Sequence, residues 1–117
     1  MAAPNIVNVT TIYGKTAPLA VTTSATAIIT NSAASGLVLK VDTLLVSNVN
    51  GTTNATVNVD LYRSSTAYRI AYLMTVPAGA TLDVLNKYLY LEEGDALRLT
   101  ASANSYIEAV ASYEQIS

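Results

Sequence analysis

Between residues 6 and 113, apolar and polar residues alternate in short runs, and Gly, Asn, Ser and Pro interrupt them at regular intervals. A period of two puts every second side chain on one face of an extended strand. No stretch keeps a 3.6-residue period with caps, so nothing reads as helix. Strand candidates fall at residues 6–12, 20–30, 37–49, 55–61, 68–76, 81–85, 88–91, 97–101 and 106–113. In the third, Leu37, Leu39 and Val41 keep one phase and Leu44 and Val46 the other, which predicts a bulge or bend near Asp42 and Thr43. Asn50-Gly51, Pro77-Ala78-Gly79, Glu92-Glu93-Gly94-Asp95 and Asn104-Ser105 are the turns, with Gly94 expected at positive φ.

A run of short strands in 117 residues implies one all-β domain. The expected fold is a single-domain antiparallel β-sandwich, jelly-roll-like, with about eight or nine strands. A ligand-holding barrel calls for large aromatic residues lining a cavity, whereas Ala, Val and Leu dominate the inward positions here. Residues 1–16 read as an N-terminal arm and first strand, and residues 17–117 as the sandwich body.

Hydrophobic residues make up 51% of the chain and charged residues only 12%. A soluble domain normally carries about 25% charged residues. Either hydroxyl and amide groups solvate the surface, or much of it is committed to neighbours. The formal net charge is −2, and Lys15, Lys40, Arg63, Arg69, Lys87 and Arg98 are dispersed. No basic cluster is present to displace counterions from a phosphate backbone, so no nucleic-acid partner is expected. No apolar run approaches the roughly 20 residues that span a bilayer, so no membrane partner is expected either. Met1 to Asn5 lacks the charged and apolar regions of a signal peptide, which predicts synthesis in a cytoplasm without export by that route.

Catalysis has little to draw on. The chain has no His and no Cys, which removes the usual base near neutral pH, thiol nucleophiles and thiolate metal sites. A carboxylate pair could be drawn from Asp83, Asp95, Glu92, Glu93 and Glu108, as from most β-proteins with eight acids. The Glu92 to Asp95 turn lacks the alternating ligand spacing of a calcium loop and reads as a solvated hairpin tip. Asn8, Asn50 and Asn54 head glycosylation sequons, but such matches are common in an Asn- and Thr-rich chain. We therefore expect no enzyme, no catalytic residue, no cofactor and no metal.

The tyrosines carry more information, since each joins a large apolar ring to a polar tip suited to subunit or sugar contacts. Tyr68 and Tyr72 are expected on one strand face, and Tyr88 and Tyr90 on another. With Ile6, Val7, Val9, Ile12 and Tyr13 of the N-terminal segment, they are the interface candidates. The 68–76 strand is apolar on both faces, which predicts a central position or an oligomer contact, hence self-association.

The opening Ala3-Pro4-Asn5-Ile6-Val7-Asn8-Val9-Thr10-Thr11-Ile12-Tyr13-Gly14-Lys15-Thr16 resembles small virion structural proteins of tailed phages, especially those of marine cyanobacteria. So do Val59-Asp60-Leu61-Tyr62-Arg63-Ser64, LYLEEGDALRLTASA at 89–103 and the ending Ser112-Tyr113-Glu114-Gln115-Ile116-Ser117. The resemblance spans essentially the whole chain and implies a virion component made in the host cytoplasm. It defines no functional residues. A small, sparsely charged sandwich of this kind looks like a capsid decoration or cement protein, whose partners are the major capsid protein or other virion proteins. The alternative is a tail, neck or fibre component, a ring or trimer with host-glycan contact through exposed tyrosines.

Overall fold

In the computed structural model, residues 4–117 are described, so the tip of the expected arm at Met1 to Ala3 lies outside them. Nine strands follow one another: β1 (Ile12–Val21), β2 (Thr26–Thr30), β3 (Val38–Asn48), β4 (Ala55–Arg63), β5 (Thr66–Val76), β6 (Thr81–Asp83), β7 (Leu89–Leu91), β8 (Ala96–Ala101) and β9 (Ile107–Ile116). The described residues contain no helix. One sheet runs β1-β9-β3-β6, with β7 also paired to β3, and the other runs β2-β8-β4-β5. Every ladder is antiparallel.

The pairing is nested about the tight turn between β4 and β5. That turn is Ser64-Ser65, both at positive φ (52° and 59°), the backbone twist that suits a two-residue hairpin. Outward from it, β3 pairs with β6 and β7, β2 with β8, and β1 with β9. The inner faces of the two sheets meet in one core of small and branched side chains. Val41, Leu44 and Val46 of β3 and Ala109 and Ala111 of β9 come from one sheet; Val57 and Val59 of β4 and Leu97 and Leu99 of β8 come from the other. Removing a Leu or Val side chain of this kind from water is worth about 1.5–3 kcal/mol.

The bulge expected in the third strand is present. The register on β9 steps from Val41–Tyr113 to Thr43–Ser112, leaving Asp42 as the extra residue. That one residue returns Leu44 and Val46 to the core face already occupied by Leu39 and Val41, and all four are buried. Gly94 also has the expected positive φ, 88°.

Two strand expectations are corrected. Residues 6–12 do not form the first strand. The Asn5 side chain accepts the Val7 N–H (3.0 Å) and the Asn5 carbonyl accepts the Asn8 N–H (2.9 Å), folding this stretch into a turn. The strand begins instead at Ile12 and passes straight through Tyr13-Gly14-Lys15. The 20–30 candidate divides at residues 22–25, where the Thr22 hydroxyl donates to the Ser24 carbonyl and accepts the Ser24 N–H, and Asn104 Oδ1 accepts the Thr23 N–H (3.0 Å).

Candidate functional site

No cavity is found among the described residues, so the candidate site is a surface. Its chemistry lies in the sheet edges, in exposed aromatic rings and in the polar ties that fix the loops between them.

The sheet edges differ in how much pairing capacity they leave open. β2 is five residues long and slips register between Ala27 and Ile29. The far side of the first sheet is divided between β6 and β7, three residues each. β5 is long but steps register twice against β4, and Leu73 is forced to a φ of 51° with its N–H bonded to Asn58 Oδ1 (2.7 Å). Short length and bulges are the means by which edges resist adding another strand. β1 has neither. Its ten residues pair with β9 in unbroken register, and residues 12–16 are all exposed.

The interface candidates fall on four segments. Ile6 and Val7 project from the turn before β1, with Val7 84% exposed, while Val9 is partly buried. Ile12 and Tyr13 open β1 and are both more than half exposed. Tyr68 and Tyr72 lie on β5 and are exposed, but the expectation that they share a face fails. The two register steps place Tyr68 opposite Leu61, on the core side, while Tyr72 meets Arg69, which pairs with outward-facing Asp60. Tyr88 and Tyr90, in contrast, do come together, with their rings edge to face at 5.5 Å. The fold does not merge these groups: β1 packs over β2 and β3 reaches β5, so the β1 and β5 edges lie on opposite flanks.

Three side-chain clusters were not foreseen. Lys40 of β3 places Nζ 4.5 Å from the Tyr88 ring centre and 3.9 Å from Asp42, the bulged residue. Arg98 of β8 bonds Asp60 through Nε (2.9 Å) and stacks on Tyr62 at 3.8 Å. The third corrects the solvated-tip reading of the Glu92 to Asp95 turn, because Asp95 is buried. Arg63, at the end of β4, donates through Nε (2.7 Å) and Nη2 (2.5 Å) to the two Asp95 oxygens and through Nη2 to Glu92 (2.7 Å). Asp95 Oδ2 also accepts the Glu92 N–H (2.8 Å), while Glu93 accepts the Gly36 N–H (2.9 Å). Asn31, also buried, donates through Nδ2 to the Leu37 and Leu91 carbonyls and exchanges backbone bonds with Gly94 and Asp95. Three connections are thereby tied into one clasp.

Burial by itself would raise the Asp95 carboxyl. The Arg63 hydrogen bonds, the Glu92 N–H and the Arg63 charge outweigh it and hold the carboxyl below its ordinary value. The same pairing holds the Arg63 guanidinium above its own. Of the other acids that could supply a carboxylate pair, Asp83 accepts the Leu85 N–H and Glu108 lies exposed on β9.

Comparison with known proteins finds no family model that matches the chain and no significant match among curated proteins.

Proposed function

We propose that this chain is a structural protein of a tailed-phage virion, acting as a decoration or cement protein that stabilises the capsid shell through protein–protein contacts. The observation that carries this is the combination of an unblunted, exposed β1 edge with a chain in which only 12% of residues are charged. A domain of this kind works by covering neighbours. It buries uncharged surface at the junctions between capsid subunits and offers a strand edge for pairing. The opening segment, the 59–64 and 89–103 runs and the C-terminal residues that resemble cyanophage virion proteins point the same way.

We further read the fold as a jelly roll. Support comes from the nesting of four antiparallel pairs about the β4–β5 turn and from the orders β1-β9-β3-β6 and β2-β8-β4-β5, which an antiparallel ribbon wound around a common core would produce.

A tail, neck or fibre component is the second reading. The exposed Tyr88 beside Tyr90 and Lys40 favours it, because an aromatic face flanked by a cation suits a glycan. Quantitative mass spectrometry of purified particles separates the two. A decoration protein is present in proportion to the major capsid protein, and particles stripped of it lose heat stability. A fibre component is present in few copies and binds host cells. Absence from purified particles overturns the virion assignment.

A further inference from the structure

We infer that two copies of this chain pair through their β1 strands, antiparallel about a two-fold axis at Gly14, joining the two five-stranded sheets into one continuous sheet. The inference does not depend on where the protein sits in a particle, because it concerns the isolated chain.

The direction of the unused hydrogen-bonding groups follows from the ladder. Thr11 and Ser117 exchange both backbone bonds (3.0 and 2.9 Å). In an antiparallel pair, bonded positions alternate, so the odd-numbered residues of β1 bond to β9. The N–H and C=O groups of Ile12, Gly14 and Thr16 therefore point away from the sheet. Pro18, which has no N–H, has the same parity, so it sits in this strand without interrupting the β9 ladder. Among the described residues, the backbone bonds outside the regular ladders include none from residues 12–20.

The side chains select the register. With the axis at Gly14, Gly14 faces the partner's Gly14 and Ile12 faces the partner's Thr16, giving three doubly bonded residue pairs. Tyr13 faces the partner's Lys15 at the closer, unbonded positions, where an aromatic ring and an ammonium attract. Tyr13 and Lys15 are exposed, although their register with Gln115 and Tyr113 places them on the core side of the sheet, so the second sheet leaves them uncovered. The paired segment ends before Pro18, which would face Thr10, outside the strand. Neighbouring registers are poorer. An axis at Lys15 sets the two lysines against each other and Pro18 against Ile12. An axis at Thr16 places Pro18 opposite Gly14, where its missing N–H removes a bond. An axis at Tyr13 takes Thr16 past the end of β1. The other edges, short or bulged, offer no comparable run.

Cysteine cross-linking tests the pairing and its register. The chain has no native Cys, and a Cβ added at Gly14 meets nothing within 4 Å, so Gly14→Cys is compatible with the fold. Bonded antiparallel residues have Cα atoms about 5.5 Å apart, within the range a disulfide spans. The Thr16→Cys thiols would lie roughly 14 Å apart along the strands in this register. The expected result is a disulfide dimer with Gly14→Cys under mild oxidation, formed at least tenfold faster than with Thr16→Cys. Equal rates, faster linkage at Thr16→Cys, or no linkage in either variant would overturn the proposal. Sedimentation of the unmodified chain is the independent arm. A concentration-dependent dimer is expected, weakened at least tenfold by Tyr13→Lys and restored by adding Lys15→Glu. A monomer at every concentration refutes the pairing even if a variant fails to fold.

Discussion

Replacing Asp95 with Ala tests whether the clasp at the β7–β8 turn holds the fold together. The substitution removes two charge-assisted bonds to Arg63 and the acceptor for the Glu92 N–H, all made by a buried carboxylate. A hydrogen bond to a charged group is worth about 1.5–3 kcal/mol, and breaking a fully buried pair costs about 3–5 kcal/mol. The Arg63 side chain is 41% exposed, so water recovers part of the loss once Asp95 is gone. The expected destabilisation is about 2–3 kcal/mol. At roughly 4 °C per kcal/mol for a chain of this size, the melting temperature falls by about 10 °C. Glu92→Gln is the control, because the Glu92 side chain joins the same guanidinium while 68% exposed, and such pairs are worth less than about 1 kcal/mol. Urea and thermal unfolding at one fixed protein concentration measure both variants, so that any association affects them equally. If Asp95→Ala and Glu92→Gln prove equally mild, the buried carboxylate does not tie the three connections, and the clasp is an incidental contact.

The same group predicts a pH dependence. The Asp95 carboxyl is lower in the folded chain than in the unfolded chain, so its contribution is complete above the unfolded value near 3.8 and is lost as pH falls through the folded value. Acid unfolding curves should therefore be shallower for Asp95→Asn than for the unaltered chain. Asn48→Ala is expected to cost about 2–3 kcal/mol, because buried Asn48 donates to the Thr53 and Val76 carbonyls and accepts the Asn50 N–H; faster amide exchange across residues 48–54 would accompany the loss. Leu73→Asn should stabilise by about 0.5 kcal/mol in a urea melt, since Leu73 is exposed yet held at a φ of 51° that Asn adopts more readily.

Alternation made most of the strands legible, and interruption made the turns legible. Even the Asp42 bulge could be read, because a core-facing set cannot change phase without an extra residue. The β5 bulges were not legible. Tyr68, Ile70, Tyr72, Met74 and Val76 keep perfect alternation, and nothing local shows that register on β4 will step twice and divide them. The 6–12 segment failed for a related reason: its alternation is good, but the Asn5 side chain bonds the backbone locally and competes with extension. The clasp was invisible because Arg63, Asp95 and Asn31 are far apart in the chain and meet only once β4, β8 and the β2–β3 connection are in place. Of the candidate surface, the exposed tyrosines and the opening of β1 were recognisable by residue type. That β1, alone of the sheet edges among the described residues, escapes bulging or shortening depends on pairing register, which composition does not carry.

Where the few charges go bears on what the surface is for. Half of the fourteen charged side chains, Lys40, Asp42, Asp60, Arg63, Glu92, Asp95 and Arg98, are used in internal ion pairs. Glu93 is spent on the Gly36 N–H, and Arg69 rests against Tyr72. A domain that depended on repulsion to remain dispersed would leave its charges free in water. Here most of them fix loops and the outer faces of strands, and Ile12, Leu45 and Val110 are left as exposed apolar groups on the outer face of the β1-β9-β3 sheet, with Tyr13 exposed on its other face. Leu45 and Val110 are directly opposite one another, and Pro18 faces Val110 from β1, so an apolar row crosses three strands on the outside of the sheet. Internal use of charge together with such an uncovered row supports the proposal made above that this face is covered by neighbours.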